Sequence, residues 1–458
     1  MNNKNAIFPA LVICGLTMVC LWLVGCGQTI STPTTTTTTL PQVAAPSFSQ
    51  SSGSYEVNST YVTLECSTAG SSIYYTLDGT APSASSTLYT EPISLESSKT
   101  VKAIAIKTGL SNSPIVNNWY DLYWWQAIGS GTNGDVNAIA RDSSGNLYAG
   151  GSFSFAGGVG ATRIAKWSAL LQTWEALGSG FNNVVNSIIC DNPNGLVYAG
   201  GYFTTADGNT ANYIAKWNGS SWQALGGGIE QQQSGATFCL LMKNTKLYVG
   251  GFFSTIEGNT VNNIAKWDGT NWSGIGGVDS IVFSLAEDGA NNLYLGGWFN
   301  NVGSLSSNRI VKWVEDESTW EAMSCNFYRI TSLAYDTTNS KVYAGGVETY
   351  SGASHHVLEW NVNTWEAVGG AFNASLNALC VDSYGTLYAG GNFSSAEGNL
   401  SNYIAKWNGS AWQELGAGVN GIVNTIVSDN SGNVYIGGAF TQAGGMTANH
   451  IVKWGKKI

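Results

Sequence analysis

The sequence has little charge and almost no histidine. Of its 458 residues, 19 are Lys or Arg, 29 are Asp or Glu, and 3 are His. The net charge of −10, without a Lys/Arg cluster, excludes nucleic acid as the expected partner, because phosphate binding needs clustered cations. Gly (57 residues) and aromatic side chains (12%) are abundant instead, which is typical of an all-β protein with many tight turns. A disordered chain would hold fewer aromatic residues.

The cysteines show no metal-binding or redox motif. Five of the 8 Cys follow Cys26, and none of them lies in a CxxC or Cys/His spacing: Cys66, Cys190, Cys239, Cys325 and Cys380. Three of them fall in apolar, strand-like runs, so we expect small buried hydrophobic side chains. The sequence therefore predicts no metal site and no cofactor.

The N-terminal segment predicts export and lipid attachment. Lys4 precedes the apolar stretch AIFPALVICGLTMVCLWLVG, whose core is short enough for a secretory signal. The stretch ends in LVGC (23–26), which resembles the lipobox of bacterial lipoproteins. The resemblance implies a signal peptide over residues 1–25 and a lipid anchor on Cys26, in the outer membrane or at the cell surface. An uncleaved membrane anchor is the alternative, and either places the remaining chain outside the cytoplasm.

A tether and a small domain are expected next. Residues 26–44 contain STPTTTTTTLPQ, which has nothing to bury and predicts an extended linker. Residues 45–120 alternate in the manner of strands, and IYYTLDGTAPSASSTLYTEPISLESSKTVKAIA resembles the accessory domain at the C-terminus of chitobiases and hexosaminidases. That resemblance implies an immunoglobulin-like sandwich without catalytic residues.

Residues 124–458 repeat a unit of 45 to 50 residues. Each unit contains a strand of the WQALG type, an apolar run, a glycine pair of the YAGGYF type and a strand of the IAKW type. The seven copies begin at Trp125, Trp174, Trp222, Trp272, Trp320, Trp365 and Trp412. Four short strands at this period predict a propeller blade, and the glycine pair followed by two Trp resembles the kelch repeat. The predicted fold is all-β: the sandwich, then a seven-bladed β-propeller closed by pairing of 125–129 with 450–454.

The regular positions of the repeat favour structural roles. Seven glycine pairs cannot all be nucleotide sites, and an aromatic strand continuation rather than a helix follows most of them. The Trp columns predict packing between blades, and an Asp column before SGN-type turns predicts turn formation. The Lys of IAKW is expected to face Glu or Gln of the next strand. The fifth copy differs, because it carries Glu359 in place of that Lys.

Candidate binding residues lie where the copies differ. The loops between second and third strands vary, and the residues before the IAKW-type strand form a polar and aromatic set suited to recognition. The candidates are Arg163, Tyr213, Asn263, Arg309, Tyr350, His355, His356, Tyr403 and His450. Trp298, EQQQ (230–233) and NFYR (326–329) are expected to join them. Ordinary solvated loops are the alternative.

These features predict a binding protein rather than an enzyme. Three His and four Arg supply neither the ligands of a copper-containing propeller oxidase nor an arginine triad of the sialidase type, and no Ser/His/Asp motif is visible. We expect a monomeric, non-catalytic surface lipoprotein whose propeller binds a glycan or an envelope or extracellular protein. A polysaccharide-active enzyme and a purely structural envelope component are the alternatives.

Overall fold

The computed structural model describes residues 40–56, 60–230, 235–315, 317–348, 355–361 and 363–457. Throughout these residues the secondary structure consists of β-strands and turns, as the composition predicts. No helix in the described part of the chain is long and apolar enough to span a membrane. The predicted signal peptide, Cys26, most of the tether, residues 231–233 of EQQQ and Tyr350 lie outside the described residues.

The N-terminal domain has its own strands and its own hydrophobic core. Val62, Val101, Tyr120 and Leu122 are fully buried in that core. Short antiparallel pairs form one part of the domain, and a longer sheet forms the other. The strands are Ser47–Phe48, Gly53–Glu56, Thr60–Val62, Leu64–Glu65, Ser72–Thr76, Thr87–Leu88, Ile93–Leu95 and Lys99–Ile106.

The remaining described residues contain seven antiparallel four-stranded sets, which we call sheets 1 to 7 in chain order. Their strands are, for sheet 1, Val136–Arg141, Leu147–Gly151, Ile164–Ser168 and Thr173–Ala176; sheet 2, Val185–Asp191, Leu196–Gly201, Ile214–Trp217 and Trp222–Ala224; sheet 3, Ala236–Lys243, Lys246–Phe252, Ile264–Trp267 and Trp272–Gly274; sheet 4, Ile281–Glu287, Leu293–Trp298, Ile310–Val314 and Thr319–Ala322; sheet 5, Arg329–Asp336, Lys341–Val347, His355–Asn361 and Thr364–Ala367; sheet 6, Leu376–Val381, Leu387–Gly391, Ile404–Trp407 and Trp412–Glu414; and sheet 7, Val423–Ser428, Val434–Gly438, Ile451–Lys456 and Val116–Ala127.

Short two-stranded hairpins lie between the second and third strands of most sheets. Their strands are Phe155–Ala156 and Val159–Gly160, Thr205–Ala206 and Asn209–Thr210, Thr255–Ile256 and Asn259–Thr260 (joined by Ile229–Glu230), Asn301–Val302 and Leu305–Ser306, Ser395–Ala396 and Asn399–Leu400, and Gln442–Ala443 and Met446–Thr447.

The glycine pairs set the distance between neighbouring sheets. A Cβ added at Gly437 of sheet 7 would stand 2.6 Å from Cγ1 of Val136 in sheet 1. A Cβ added at Gly438 would stand 2.0 Å from the carbonyl oxygen of Ile422, so only glycine allows this approach. In the other sheets, too, the first glycine of the pair lies against the first strand of the next sheet. The contacts are Gly150 with Val185, Gly200 with Thr237, Gly250 with Val282, Gly296 with Ile330, Gly345 with Leu379, and Gly390 with Val423. The structural role expected for the glycine pairs is therefore confirmed.

The two Trp columns join the sheets at their outer strands. In all seven sheets the Trp of the third strand pairs with the Trp of the fourth. In six of them the indole N–H of the fourth-strand Trp donates, over 2.6 to 3.2 Å, to a carbonyl just after the outer strand of the preceding sheet. The pairs are Trp174 with Ile128, Trp222 with Leu177, Trp272 with Leu225, Trp320 with Ile275, Trp365 with Met323, and Trp412 with Val368. Each Trp thus packs within its sheet and fixes the neighbouring sheet.

The strand Val116–Ala127 belongs to both parts of the molecule. Its first residues pair with Lys99–Ile106 and its centre pairs in parallel with Gly53–Glu56, both in the N-terminal domain. Its last residues pair with Ile451–Lys456 and form the fourth strand of sheet 7. One continuous strand therefore crosses the segment around residues 120 to 124 where the sequence predicts a domain boundary.

The predicted pairing of the first repeat strand with the last is present. Trp125 lies opposite Trp454, and Ala127 lies opposite Val452. The pairing ends at Ala127, so the last two residues of the predicted segment 125–129 lie in the turn that follows. Sheet 7 is consequently built from two distant parts of the chain.

Candidate functional site

Six of the predicted binding residues share one backbone geometry at the start of the third strand. Their φ angles lie between 64° and 71°, in the left-handed region that side chains other than glycine rarely adopt. Each N–H donates to the carbonyl of the Phe that lies two residues after the glycine pair, and each carbonyl accepts the N–H of the second glycine of the pair. The six residues are Arg163, Tyr213, Asn263, Arg309, Tyr403 and His450.

Polar side chains of this set are directed at neighbouring backbone. Oδ1 of Asn263 accepts the Phe253 N–H at 2.9 Å, and Nδ2 donates to the Val278 carbonyl at 3.0 Å. Arg309 donates from Nη1 to the Phe299 carbonyl at 3.1 Å and from Nε to the Phe327 carbonyl at 3.2 Å. Arg163 likewise donates to the Ser152 carbonyl, and Nδ1 of His450 lies 3.1 Å from the Gly438 carbonyl. These contacts join the strand ends and neighbouring loops.

The two predicted His of sheet 5 do not share this once-per-sheet position. His355 and His356 are neighbours in sheet 5, whereas the others occur once per sheet. Burial, together with the charge of Arg329, lowers the pKa of His355 below its ordinary value, so this side chain is neutral near pH 7. Nε2 of His356 lies 3.8 Å from the carboxylate of Glu348. Tyr213 is buried.

A group of exposed aromatic side chains lies at the ends of the second strands. Tyr202, Phe252 and Trp298 directly follow the glycine pairs of sheets 2, 3 and 4, and their exposed fractions are 41%, 43% and 41%. The position reads Ser152, Tyr202, Phe252, Trp298, Val347, Asn392 and Ala439 along the chain. At this position, large aromatic side chains are therefore confined to three consecutive sheets. Trp298 is predicted from the sequence to join the binding residues, and this column is the signal that could have identified Tyr202 and Phe252.

The first strands of sheets 3 and 4 carry a second group of aromatic side chains. A register shift leaves one residue of each first strand unpaired: Asn137, Asn186, Phe238, Phe283, Thr331, Asn377 and Asn424. The polar members include Thr331, which donates to the Leu376 carbonyl of the next sheet at 2.6 Å, and Asn377, which donates to Val423 at 3.1 Å. Sheets 3 and 4 have Phe instead, and the Phe238 and Phe283 ring centroids are 5.4 Å apart.

We treat these two groups, together with Tyr328 just before sheet 5, as one candidate surface and call it the aromatic face: Tyr202, Phe238, Phe252, Phe283, Trp298 and Tyr328. Tyr202 lies 6.0 Å from Phe238, and Trp298 lies 5.6 Å from Tyr328, measured between ring centroids. The guanidinium carbon of Arg309 lies 5.9 Å from the centroid of Tyr328. The surface offers planar apolar rings with a cationic edge, which suits binding by packing.

The acidic column has the turn-forming role that the sequence predicts. Oδ1 of Asp288 accepts the backbone N–H groups of Ala290 and Asn292 at 2.9 Å, and Oδ2 accepts the Tyr294 hydroxyl at 2.8 Å. Burial alone would raise the pKa of Asp288, but these hydrogen bonds hold that pKa below its ordinary value. Among the described residues, no group of three or more His, Cys, Asp and Glu side chains could hold a metal ion.

The comparisons with known proteins give a family match within the N-terminal domain and solved structures of low sequence identity. Residues 50–117 match the family described as chitobiase/beta-hexosaminidase C-terminal domain. No curated protein matches the sequence. Two solved structures of the extracellular domain of BT4673 from B. thetaiotaomicron, described as a one component and as a hybrid two component system, are 14% identical and have TM-scores of 0.49 and 0.47. Each alignment covers 72% of this chain and 39% of the other, so this chain spans less than half of their length. The family match identifies residues 50–117 as an immunoglobulin-like domain of the chitobiase/β-hexosaminidase C-terminal type.

Proposed function

We propose that this chain is a non-catalytic, lipid-anchored protein outside the cytoplasm, whose aromatic face binds an envelope or extracellular protein. Sheets 1 to 7 form the blades of a kelch-like β-propeller in this proposal, and the aromatic face occupies the blades numbered 2 to 5. The lipid anchor on Cys26 rests on the lipobox resemblance of LVGC (23–26).

The propeller is supported by the contacts of the last sheet with the first. Nδ2 of Asn424 in sheet 7 donates to the Val136 carbonyl of sheet 1 at 3.3 Å. The Thr132 N–H, before sheet 1, donates to the Asn449 carbonyl at 3.1 Å. With Gly437 against Val136, these contacts repeat between sheets 7 and 1 the packing found between consecutive sheets, as a closed ring requires.

The exposed aromatic face is the observation that carries the binding function. Centres of protein interfaces are enriched in Tyr, Trp, Phe and Arg, and the most important contacts cluster among such residues. Three of the six rings, Phe238, Phe252 and Phe283, offer no hydrogen-bond donor or acceptor to sugar hydroxyls, so their composition favours a protein over a glycan.

We expect the triple variant Tyr202→Ala, Phe252→Ala, Trp298→Ala to lose its partner. The measurement is cross-linking of the purified protein to an envelope extract, followed by quantification of the captured polypeptides. The amount captured should fall at least tenfold relative to wild type, because truncating a central aromatic residue weakens the binding free energy by about 2 kcal/mol or more. The matched control is Leu170→Ala, Leu171→Ala, which removes two exposed apolar side chains from the turn between the third and fourth strands of sheet 1. Equal capture by wild type and the aromatic variant would remove the aromatic face as the binding surface.

The anchor has its own test. We expect radiolabelled palmitate to be incorporated into wild type and not into Cys26→Ser, because the proposed thioether forms on that sulfur. Cys66→Ser serves as the matched control and should be labelled like wild type. Label that persists in Cys26→Ser would contradict the anchor without touching the aromatic face.

A further inference from the structure

A polar cleft of about 870 Å³ lies between the N-terminal domain and sheets 5, 6 and 7. We call it the junction cleft; its walls include Lys341, Glu359, Tyr384, Lys406, Asp121 and Lys456. The cleft involves the turns between first and second strands, whereas the aromatic face lies where the second strands end. Its volume falls within the range of pockets that hold small ligands.

The exceptional residue of the Lys column lies in this cleft. Glu359 replaces the Lys found in the other six copies, and both of its oxygens accept hydrogen bonds from Nζ of Lys341, at 2.9 and 2.8 Å. In sheets 1 and 4 the Lys forms an ion pair with a Glu of the fourth strand, as Lys312 does with Glu321 at 2.9 Å, and in the other sheets it faces Gln or Ser. In sheet 5 the ion pair therefore joins the second and third strands, whereas in sheets 1 and 4 it joins the third and fourth. In this position the ion pair of sheet 5 lines the cleft.

A second exception is an exposed aromatic ring. Tyr384 occupies a turn position that is Ser144 in sheet 1 and Ser431 in sheet 7. It is 66% exposed, which is unusual for a large ring without a role. The ring edge rests on Gly432 of the next sheet, because a Cβ there would stand 2.4 Å from Cε2 of Tyr384. Tyr384 is thus supported on one side and open on the rest of its surface.

The third set of cleft residues lies on or beside the strand Val116–Ala127, which the repeats share with the N-terminal domain. Asp121 forms an ion pair with Nζ of Lys456, and Tyr123 stacks on Trp454 with ring centroids 6.2 Å apart. The side chains of Asp121 and Lys456 are 26% and 37% exposed, so both reach the solvent of the cleft. The cleft is therefore complete only where the N-terminal domain meets the repeats.

The charges of the cleft are balanced. Its lining includes three Lys and three carboxylates, namely Lys341, Lys406, Lys456, Asp121, Glu359 and Asp382. Lys341 is paired with Glu359 and Lys456 with Asp121, and Asp382 accepts the Tyr384 and Thr386 N–H groups at 2.9 Å. Such paired groups attract neither an anion nor a cation strongly, but they hold fixed donors and acceptors. A neutral molecule with many hydroxyl groups matches this chemistry, and an open aromatic ring matches the apolar face of a sugar.

We propose that the junction cleft binds a neutral oligosaccharide, with Tyr384 stacked on a sugar ring and the two ion pairs hydrogen-bonded to its hydroxyl groups. This function is separate from protein binding at the aromatic face. It accounts together for Glu359, Tyr384 and the position of Asp121, three features that the repeat alone does not require.

The test is calorimetric titration of the purified protein with cellotetraose, maltotetraose, mannotetraose and chitotetraose, and with tetragalacturonate and a chitosan tetramer as anionic and cationic comparators. We expect at least one neutral tetrasaccharide to bind at one site per chain, more tightly than either charged comparator. Tyr384→Ala and Glu359→Lys should each weaken that binding at least tenfold, and Tyr384→Phe should stay within threefold of wild type because it keeps the ring.

Two controls show whether a loss of sugar binding arises in the junction cleft. Trp298→Ala, on the aromatic face, should leave the sugar affinity unchanged, so the two proposals fail independently. Unchanged thermal unfolding of Tyr384→Ala, expected for an exposed side chain, shows that any loss is local. The proposal is overturned if no neutral tetrasaccharide binds, if a charged comparator binds more tightly, or if binding survives Tyr384→Ala.

Discussion

Replacing Gly438 with Ala should lower the free energy of unfolding by more than about 3 kcal/mol. The added Cβ would stand 2.0 Å from the carbonyl oxygen of Ile422 and 3.0 Å from Cα of Val423. Both are backbone atoms of the adjacent segment, which cannot turn aside as a side chain can. The φ of Gly438 is not in the left-handed region, so the cost is steric and does not come from the backbone preference of Ala.

Gly160→Ala is the matched control for this substitution. Gly160 also lies in a strand without a left-handed φ, but nothing stands within 4 Å of its added Cβ. Its unfolding free energy should change by less than about 0.5 kcal/mol. Urea titrations followed by tryptophan fluorescence compare the two, and similar midpoints for both variants would show that the sheets do not need the close approach at Gly438.

The second large effect is expected at Trp125, which joins the two ends of the repeat array. Its ring lies 4.9 Å from that of Trp454 and belongs to the hydrophobic core of sheet 7. Trp125→Ala should cost about 3–5 kcal/mol, since it leaves a large cavity beside Trp454. Loss of this packing should also release the pairing with Ile451–Lys456, so the amide hydrogens of that strand should exchange faster.

The neighbouring residue supplies the control for Trp125. Trp124 points to the other side of the same strand and is 38% exposed, so Trp124→Ala should cost less than about 1 kcal/mol. Hydrogen exchange of both variants, measured over Ile451–Lys456, distinguishes a local effect from loss of the strand pairing. If Trp125→Ala keeps wild-type protection there, the end-to-end pairing does not depend on the Trp pair.

Much of the strand arrangement follows from local sequence. The segment KWNGSSW places Asn-Gly between two strands, and Trp217 pairs with Trp222 as such a hairpin requires. Asn-Gly or Asp-Gly occurs at this place in three copies, whereas the pairing of the two Trp is found in all seven sheets, so the strand assignment in one copy supports that in the others. The shared strand is different: the alternation of VNNWYDLYWWQA continues through both domains, and two of its three pairing partners, Gly53–Glu56 and Ile451–Lys456, are distant in the chain.

The candidate sites depend more on tertiary structure. Comparing copies finds the variable position before the third strand, but the left-handed backbone at Arg309 and Asn263 directs their side chains to neighbouring carbonyls. Tyr202 and Phe252 do not stand out within their own copies, because aromatic residues also fit an apolar strand, and only the column after the glycine pair distinguishes them. Glu359 is visible as an exception, but only folding brings it to the same cleft as Tyr384 and Asp121.

The strand Val116–Ala127 also determines how the molecule transmits force. A pull on the N-terminal domain is carried along this strand into sheet 7, where it loads the hydrogen bonds with Ile451–Lys456 together, in shear. The Ser98 N–H donates to the Lys457 carbonyl at 2.8 Å, and the Lys457 N–H donates to Leu122 at 2.7 Å, adding a second connection beside it. The N-terminal domain is therefore joined to the repeats by paired strands as well as by the covalent chain, and mechanical tension would have to break that pairing before it could separate the two.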